Sequence, residues 1–175
     1  MNNTANIPVG FKEISPYELD NALKMIGKDW MLITAKDQGK VNAMTASWGC
    51  MGVLWNKPVA VGFIRPQRHT FSLTEAQDRI SLAFLGEDNR EALNICGRKS
   101  GRDCDKLSLA GLTTENVDGV PIISQAQVIL VCKKLYAQDL TKDSFIDTSL
   151  LSNYKGDDLH RMYVWEIEKA LKKSL

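Results

Sequence analysis

Short runs of β-forming residues are spread over the whole chain, and only short helical patterns separate them. A parallel sheet needs a crossover connection, usually a helix, between neighbouring strands, and the sequence shows no regular alternation of that kind. Strands that follow one another through turns and short helices are typical of an antiparallel sheet that closes on itself. We therefore predict a mainly β fold with short helices, built as an antiparallel barrel.

The individual elements are predicted from apolar runs, from alternation and from turn and capping residues. The clearest strand pattern is 128–136, which is almost continuously apolar in its first half. The predicted strands are 30–35, 41–48, 58–64, 80–85, 128–136 and 162–168, with a hairpin turn at 37–39. The predicted helices are 15–27, with Ser15 at its start, 70–77, opened by Thr70 or Ser72, 88–97, and 105–110.

Length and composition predict an ordinary globular protein of one domain, residues 1–175. Lys and Arg number 22 against 21 Asp and Glu, and this balance argues against a nucleic-acid surface. No segment approaches the roughly 20 apolar residues of a membrane span, so no membrane association is expected. The first residues have neither a basic start nor an apolar run, and we expect a cytoplasmic protein.

The cysteines and histidines do not form a metal-binding or disulfide pattern. Their spacing is wide and matches no zinc motif, so we predict no metal and reduced thiols. Cys96 and Cys132 fall in apolar runs and are predicted to be core residues. The residues concerned are Cys50, Cys96, Cys104, Cys132, His69 and His160.

Two segments carry the groups that a phosphate-bearing aromatic ligand needs. In Asn42-Ala-Met-Thr-Ala-Ser-Trp-Gly49, small side chains let a ligand approach the main chain, and the hydroxyls and the indole offer hydrogen bonds and a stacking face. Arg65-Pro-Gln-Arg-His-Thr70 brings two guanidinium groups and a Thr to a strand-to-helix junction, which suits a phosphate. Together they predict a flavin nucleotide site. Taken singly, they also fit an edge strand with one polar face and two solvated arginines.

A third segment, Ser100-Gly-Arg-Asp-Cys-Asp-Lys106, would by itself pass for an ordinary charged loop. With all three motifs in this order, the chain resembles the flavin reductase-like family of FMN-binding split-barrel proteins, and its flavoredoxin branch most of all. The resemblance extends from about Trp30 to about Trp165, and Cys104 stands at a position where the family varies. It implies an FMN-binding split barrel of six antiparallel strands in a Greek-key arrangement, a bound FMN and a homodimer.

The motifs and the resemblance together give a set of cofactor-binding residues. Residues 44–48 are assigned to the ring and ribityl chain, Arg68 and Thr70 to the phosphate, and Arg65 to the ring or the ribityl chain. Lys106 is placed near the phosphate or the N1 side of the ring, and the resemblance allows His160 to approach the flavin from the C-terminal side. The full set is Asn42, Met44, Thr45, Ala46, Ser47, Trp48, Arg65, Arg68, His69, Thr70, Gly101, Arg102, Lys106 and His160.

The predicted activity is that of an NAD(P)H:flavin oxidoreductase, in which NADH or NADPH transfers a hydride to the flavin N5. The flavin carries the chemistry, which agrees with the lack of a Ser-His-Asp or Cys-His signature, so no side chain is assigned a catalytic role. One alternative is a flavoredoxin-like electron carrier that exchanges electrons with a redox partner protein and does not use nicotinamide. Another is a ligand-binding or structural barrel without redox turnover. Trp30, Trp55 and Trp165 are predicted to lie in the core or at an interface.

Overall fold

The computed structural model describes residues 7–174 and shows ten strands joined by short helices. The strands are β1 (Phe11–Ile14), β2 (Met31–Asp37), β3 (Lys40–Ala46), β4 (Gly49–Leu54), β5 (Lys57–Ile64), β6 (Arg79–Phe84), β7 (Thr114–Val117), β8 (Val120–Ile123), β9 (Val128–Asp139) and β10 (Arg161–Lys173). The α-helices are α1 (Ala22–Lys24), α2 (His69–Ala76), α3 (Arg90–Arg98) and α4 (Lys106–Leu109). Short 3-10 segments are Pro16–Glu18, Glu87–Asn89, Lys142–Ser144 and Thr148–Asn153, and Met25–Asp29 is a π-helical turn.

Eight of the strands form one antiparallel sheet. Its order is β3-β2-β6-β9-β10-β5-β4, with β1 paired to the far half of β10, while β7 and β8 form a separate hairpin. The sheet curls on itself. The sign of this is that the side chain of Met31 on β2 reaches Gly62 on β5, although the two strands are not neighbours in the sheet. The six predicted strands are the six consecutive strands from β3 to β5 in this order. The prediction of a mainly β, antiparallel split barrel is confirmed, and β4 and β1 extend it.

Both faces of the central strands are buried. On β2, Met31 and Ile33 point into the barrel, whereas Leu32 between them belongs to a second apolar cluster under α3 and the β7–β8 hairpin. A strand covered on both faces has a continuous apolar sequence rather than an alternating one. Cys96 and Cys132 are fully buried, as predicted.

The tryptophans divide between interior and surface. Trp165 is fully buried inside the barrel, and Trp30 is half-buried against the second cluster, under the guanidinium of Arg90. Trp55 is 56% exposed at the turn after β4, so its assignment to the core is wrong and only the interface assignment stays open.

Several element boundaries differ from the predictions. The single helix predicted over 15–27 is three short turns, although Ser15 does cap the first of them by accepting a hydrogen bond from the Tyr17 N–H. Helix α2 begins at His69, so Thr70 and Ser72 lie inside it and do not open it. The helix predicted over 88–97 is preceded by the short turn Glu87–Asn89, and α3 itself begins at Arg90 without a side-chain cap.

No helix among the described residues is both long and apolar enough to span a bilayer. Over the same residues, no group of three or more His, Cys, Asp or Glu side chains is placed to hold a metal ion. Residues 1–6, which contribute to the expectation of a cytoplasmic location, lie outside the described range.

Candidate functional site

The three sequence motifs meet on one side of the barrel and surround three adjoining cavities. The first, the main cleft, has a volume of about 240 Å³ and lies between the end of β3, the end of β5 and the start of β10. Its walls include a residue that the sequence analysis missed, Phe63, which precedes the Arg-rich motif on β5. The lining residues are Met44, Thr45, Ala46, Ser47, Trp48, Phe63, Arg65, Arg68 and His160.

The second and third cavities continue from the main cleft. The inner pocket, of about 160 Å³, shares Arg68 with the main cleft and is lined by Gln67, Arg68, His69, Gly97, Arg98, Lys99, Ser100 and Lys106. The outer pocket, of about 430 Å³, shares His69 and Lys106 with the inner pocket. It is lined by Lys40, Val41, Asn42, His69, Gly101, Arg102, Asp103, Cys104, Asp105, Lys106 and Leu107. Every predicted site residue except Thr70 borders one of the three cavities.

Thr70 lies behind the site rather than in it. It is fully buried, and its hydroxyl accepts a hydrogen bond of 2.7 Å from the amide Nδ2 of Asn42. Its predicted contact with a phosphate is corrected accordingly, because the side chain has no surface to offer a ligand. Its role is to fix Asn42, which stands at the wall of the outer pocket.

Two cations, Arg68 and Lys106, converge on the carboxyl end of α3. The Arg68 Nη2 and the Lys106 Nζ each donate to the Cys96 carbonyl oxygen at 3.2 Å, and Lys106 also donates to the Lys99 carbonyl at 3.3 Å. Carbonyl groups at the end of a helix carry partial negative charge and attract cations. Only this partial charge opposes the two positive groups, because neither side chain forms an ion pair with a carboxylate of residues 7–174.

The protonation state of Lys106 reflects this crowding. Only 2% of the residue is exposed. Burial, and after it the nearby charge of Arg68, lowers the pKa of Lys106 to about 8. Burial likewise lowers the pKa of Arg68, with the charge of Arg65 as the second cause. An anion placed in the inner pocket would relieve both effects.

Arg65, at the wall of the main cleft, is tied to the segment that precedes β10. Its Nη1 donates to the carboxylate of Asp158 at 2.9 Å, its Nη2 donates to the Asn153 carbonyl at 3.0 Å, and its guanidinium lies 5.3 Å from the centre of the Tyr154 ring. These partners belong to the segment between β9 and β10. Arg65 therefore borders the cleft with its charge already paired, unlike Arg68.

Aromatic side chains form one wall of the main cleft. The ring of His160 lies 5.2 Å from Trp48 and 6.3 Å from Phe63, and its Nδ1 is hydrogen-bonded to the Tyr154 hydroxyl at 3.0 Å. Burial, together with the charge of Arg65, lowers the pKa of His160 to about 4, so the ring is neutral near neutral pH. Trp48 is 44% exposed and forms the rim.

The backbone of β3 forms the opposite wall. This strand pairs only with β2, so the hydrogen-bonding groups of its other edge are not used by the sheet. The Thr45 hydroxyl donates to the Leu93 carbonyl at 2.5 Å and thereby ties β3 to α3. Met44 is 5% exposed and packs mainly into the core. The small side chains of Ala46 and Ser47 leave the main chain of this wall accessible from the main cleft.

The loop before α4 approaches β3 closely. A Cβ on Gly101 would lie 2.3 Å from the Asn42 Oδ1 and 2.9 Å from the His69 Cδ2, so only glycine fits there. Arg102 reaches back to donate to the Gln67 carbonyl at 2.9 Å. Burial lowers the pKa of His69, and the charges of Arg102, Lys106 and Lys40 act in the same direction. The arrangement concentrates positive charge around His69.

Phe63, Tyr154, Asp158 and Lys40 are site residues that sequence reasoning did not assign. Phe63 and Lys40 carried a usable signal, because each is close in sequence to a predicted motif on a strand that leads into the site. Tyr154 and Asp158 carried none, since the segment that contains them has neither a strand nor a helix pattern of its own.

Comparison with known proteins agrees with this geometry. Residues 24–170 match the family model described as flavin reductase like domain. A search of curated proteins gives no match.

Solved structures with the same fold include an FMN-binding domain of a flavin reductases-like enzyme from Shewanella baltica OS155, with 17% identity and a TM-score of 0.69 over 93% of this chain and 77% of that chain. A flavoredoxin from Methanosarcina acetivorans has 21% identity and a TM-score of 0.63 over 81% of this chain and 67% of that chain. An NADH:FAD oxidoreductase from Streptomyces globisporus C-1027, in complex with NAD and FAD fragments, has 15% identity and a TM-score of 0.58 over 83% and 80% of the two chains.

Proposed function

The chain belongs to the flavin reductase-like family, and from this premise we propose that it binds FMN in the main cleft and inner pocket and reacts with NADH or NADPH. One observation carries the proposal: Arg68 and Lys106 converge, largely buried, in the inner pocket beside the main cleft, with one helix carbonyl as their shared partner. A phosphate dianion is the kind of ligand that suits this pair.

The cavities fit the parts of FMN in order. The flat ring suits the main cleft, where the unpaired edge of β3 faces an aromatic wall and supplies hydrogen bonds along its length. The phosphate suits the inner pocket, whose lining includes Arg68, Lys106 and the first residue of α2, His69. Backbone N–H groups at a helix start add to the attraction for an anion.

When bound, FMN supplies the redox chemistry by accepting a hydride, with its two electrons, from the nicotinamide. The side chains of the site bind and orient. Arg68 and Lys106 hold the phosphate, while Phe63 and His160 limit the access of water to the cleft. Because His160 is neutral, it adds a hydrogen-bonding group beside the cleft without adding charge. Trp48, at the exposed rim, is placed to shape the entry of a nicotinamide.

The second candidate is an electron carrier that exchanges electrons with a redox partner protein. The likeness to a flavoredoxin supports it, whereas the likeness to an NADH:FAD oxidoreductase supports the reductase. Both candidates use the same FMN site, and they differ in whether nicotinamide donates the electrons. The exposed rim at Trp48 favours the reductase, because it leaves one side of the cleft open to a second ring.

Anaerobic reduction separates the two candidates. FMN-loaded protein is mixed with NADH or with NADPH, and the flavin absorbance is followed. We expect bleaching by at least one of the two. If the flavin stays oxidised with both donors and is reduced readily by a protein donor, the electron carrier replaces the reductase.

We also propose a homodimer. Strand β4 is an edge strand, and Val53, Leu54 and Trp55 at its end are 61%, 40% and 56% exposed. An apolar edge without charges or Pro is open to pairing with another polypeptide. The resemblance to the family indicates that the pairing polypeptide is a second copy of this protein. A cytoplasmic location stays a prediction.

A further inference from the structure

The imidazole ring of His160 is held from several sides at the wall of the main cleft. The ring lies 5.2 Å from Trp48 and 6.3 Å from Phe63, and the backbone carbonyl of His160 accepts a hydrogen bond of 2.9 Å from the Leu140 N–H. Within the described part of the chain, the ring has one hydrogen-bond partner, the Tyr154 hydroxyl, which lies 3.0 Å from Nδ1. The second ring nitrogen, Nε2, is therefore left for a ligand.

The bond between Tyr154 and His160 decides which ring nitrogen carries the proton. A neutral imidazole has one N–H and one acceptor nitrogen, and the hydrogen bond at one nitrogen selects the state of the other. The ring is neutral near neutral pH, because burial lowers the pKa of His160 to about 4. A phenol O–H is a stronger donor than a neutral imidazole N–H, and an imidazole nitrogen is a stronger acceptor than a phenol oxygen. The Tyr154 hydroxyl therefore donates to Nδ1, and Nε2 carries the proton.

The positive charge of Arg65 favours the same arrangement. Its guanidinium lies 5.3 Å from the centre of the Tyr154 ring and is held there by the Asp158 carboxylate and the Asn153 carbonyl. A nearby positive charge makes a hydroxyl group a stronger donor and a weaker acceptor. Burial nevertheless raises the pKa of Tyr154, so its hydroxyl keeps the proton that it donates. The charge of Arg65 also opposes a positive charge on His160, and Asp158 offsets this effect only in part.

We propose that Tyr154 is a positioning residue of the flavin site, which fixes His160 so that it presents Nε2–H to the main cleft as a neutral donor for a carbonyl oxygen of the ligand. The inference rests on the proposed function and deepens it, since it names the atom through which His160 meets the ligand. The flavin ring and the carboxamide of a nicotinamide both carry carbonyl oxygens that can accept from Nε2. Without the Tyr154 hydroxyl, the ring loses the bond that sets its tautomer and its rotation.

Nitrogen-15 NMR of the flavin-free protein tests the tautomer directly, because protonated and unprotonated ring nitrogens have well-separated chemical shifts. The chain has two histidines, so His160→Gln identifies the signals of His160. We expect a protonated Nε2 and an unprotonated Nδ1 near neutral pH. Tyr154→Phe keeps an aromatic ring between Phe145 and Arg65 and removes only the hydroxyl. In this variant the two shifts should move towards each other, as the second tautomer becomes populated.

Binding and turnover identify the acceptor. Loss of one hydrogen bond should weaken the ligand by up to about tenfold. If Tyr154→Phe weakens FMN in titration calorimetry, the acceptor is a carbonyl of the flavin ring. If it leaves the affinity for FMN unchanged and raises the KM for NADH or NADPH, the acceptor is the carboxamide. Tyr136→Phe is the matched control and should change none of these quantities, because its hydroxyl is also hydrogen-bonded but borders none of the three cavities.

The opposite results overturn the inference. A protonated Nδ1 in the wild type would mean that the Tyr154 hydroxyl accepts rather than donates. Identical shifts of His160 in Tyr154→Phe and the wild type, or an unchanged FMN affinity together with an unchanged KM, would remove the positioning role. If the wild type binds no FMN while its His160 shifts do respond to Tyr154→Phe, the proposed function fails and the role in ligand binding fails with it, although the pairing of the two side chains stands.

Discussion

At the scale of single residues, the site is marked by one buried charge. Lys106 is 2% exposed, its hydrogen-bond partners are two carbonyls, and its ammonium group makes no ion pair within residues 7–174. Burying a charge without a counterion lowers the stability of the folded protein. The same burial disfavours the charged form of Lys106 and so lowers its pKa. A ligand anion would turn this unfavourable group into a favourable one.

The first prediction is that Lys106→Met stabilises the flavin-free protein at neutral pH. Burial disfavours the charged form of Lys106, and its pKa therefore falls from 10.5 to about 8 on folding. The loss of stability is complete below about pH 8 and disappears as the pH rises to about 10.5. Thermal unfolding at a series of pH values should show a higher Tm for the variant, with a gap that closes over this range. Lys12→Met is the control. A lower Tm for Lys106→Met at neutral pH would contradict the assignment.

His160 should make the protein sensitive to acid. Burial lowers its pKa from 6.5 to about 4, so between these values the unfolded chain binds more protons than the folded protein and stability falls as the pH falls. We expect His160→Gln to flatten this part of the profile, as measured by urea unfolding from about pH 7 to about pH 4. The pKa of His69 is also lowered, so the stability profile of the variant should keep a residual slope. An unchanged profile in the variant would show that His160 does not titrate in this way.

The sequence predicted which residue types gather around the cavities of the candidate site, but not the partners of those residues. The three motifs predicted the walls of the cavities, because phosphate and ring binding call for recognisable groups at short spacing. The roles of Thr70 and Thr45 could not be predicted, since their hydroxyls are engaged by Asn42 and Leu93, residues distant in sequence. The pairing of Arg65 with Asp158 could not be predicted for the same reason, because Asp158 is 93 residues away.

At the scale of elements, the position of β5 over the barrel interior depends on one glycine. Gly62 pairs with Tyr163 on β10, and a Cβ at this position would lie 2.6 Å from the Cζ3 of the buried Trp165. The indole ring is fully buried and stacks on Tyr163 at 5.3 Å, so it has no free direction in which to move. The strand that leads to Phe63 and Arg65 therefore packs directly on the core.

We predict that Gly62→Ala lowers the free energy of unfolding by about 1–3 kcal/mol, because overpacking displaces Trp165 or β5. Gly52→Ala on β4 is the matched control, since a Cβ there meets no atom within 4 Å. Denaturant unfolding checks both variants. Equal stability of Gly62→Ala and the wild type would show that the barrel interior yields more easily than its packing indicates.

Element prediction succeeded where apolar periodicity is strong and failed where it is weak. The six barrel strands have long β-forming runs, and all six were predicted. Strand β4 was missed because two of its six residues are glycine, and β1, β7 and β8 were missed because each has only four residues. The helix predicted over 15–27 breaks into separate turns, because Asn21 adopts a positive φ of 59°.

At the scale of the whole molecule, the proposed homodimer predicts a response to changes on β4. Val53→Lys with Trp55→Lys should place charges on the exposed apolar edge without disturbing the core, and should shift the protein from dimer to monomer. Sedimentation at micromolar concentration measures the shift, with Lys12→Ala as the control. A wild-type protein that sediments only as a monomer would contradict the proposal.

The central claim is that the main cleft and inner pocket bind FMN through its phosphate, and comparison of FMN with riboflavin tests it most directly. The two ligands share the ring and the ribityl chain and differ only in the phosphate. Titration calorimetry of the flavin-free protein should show FMN binding at least about tenfold more tightly, since each charge-assisted contact contributes about 1.5–3 kcal/mol. Lys106→Met should reduce this difference. Equal affinity for FMN and riboflavin, or binding of neither, would contradict the claim.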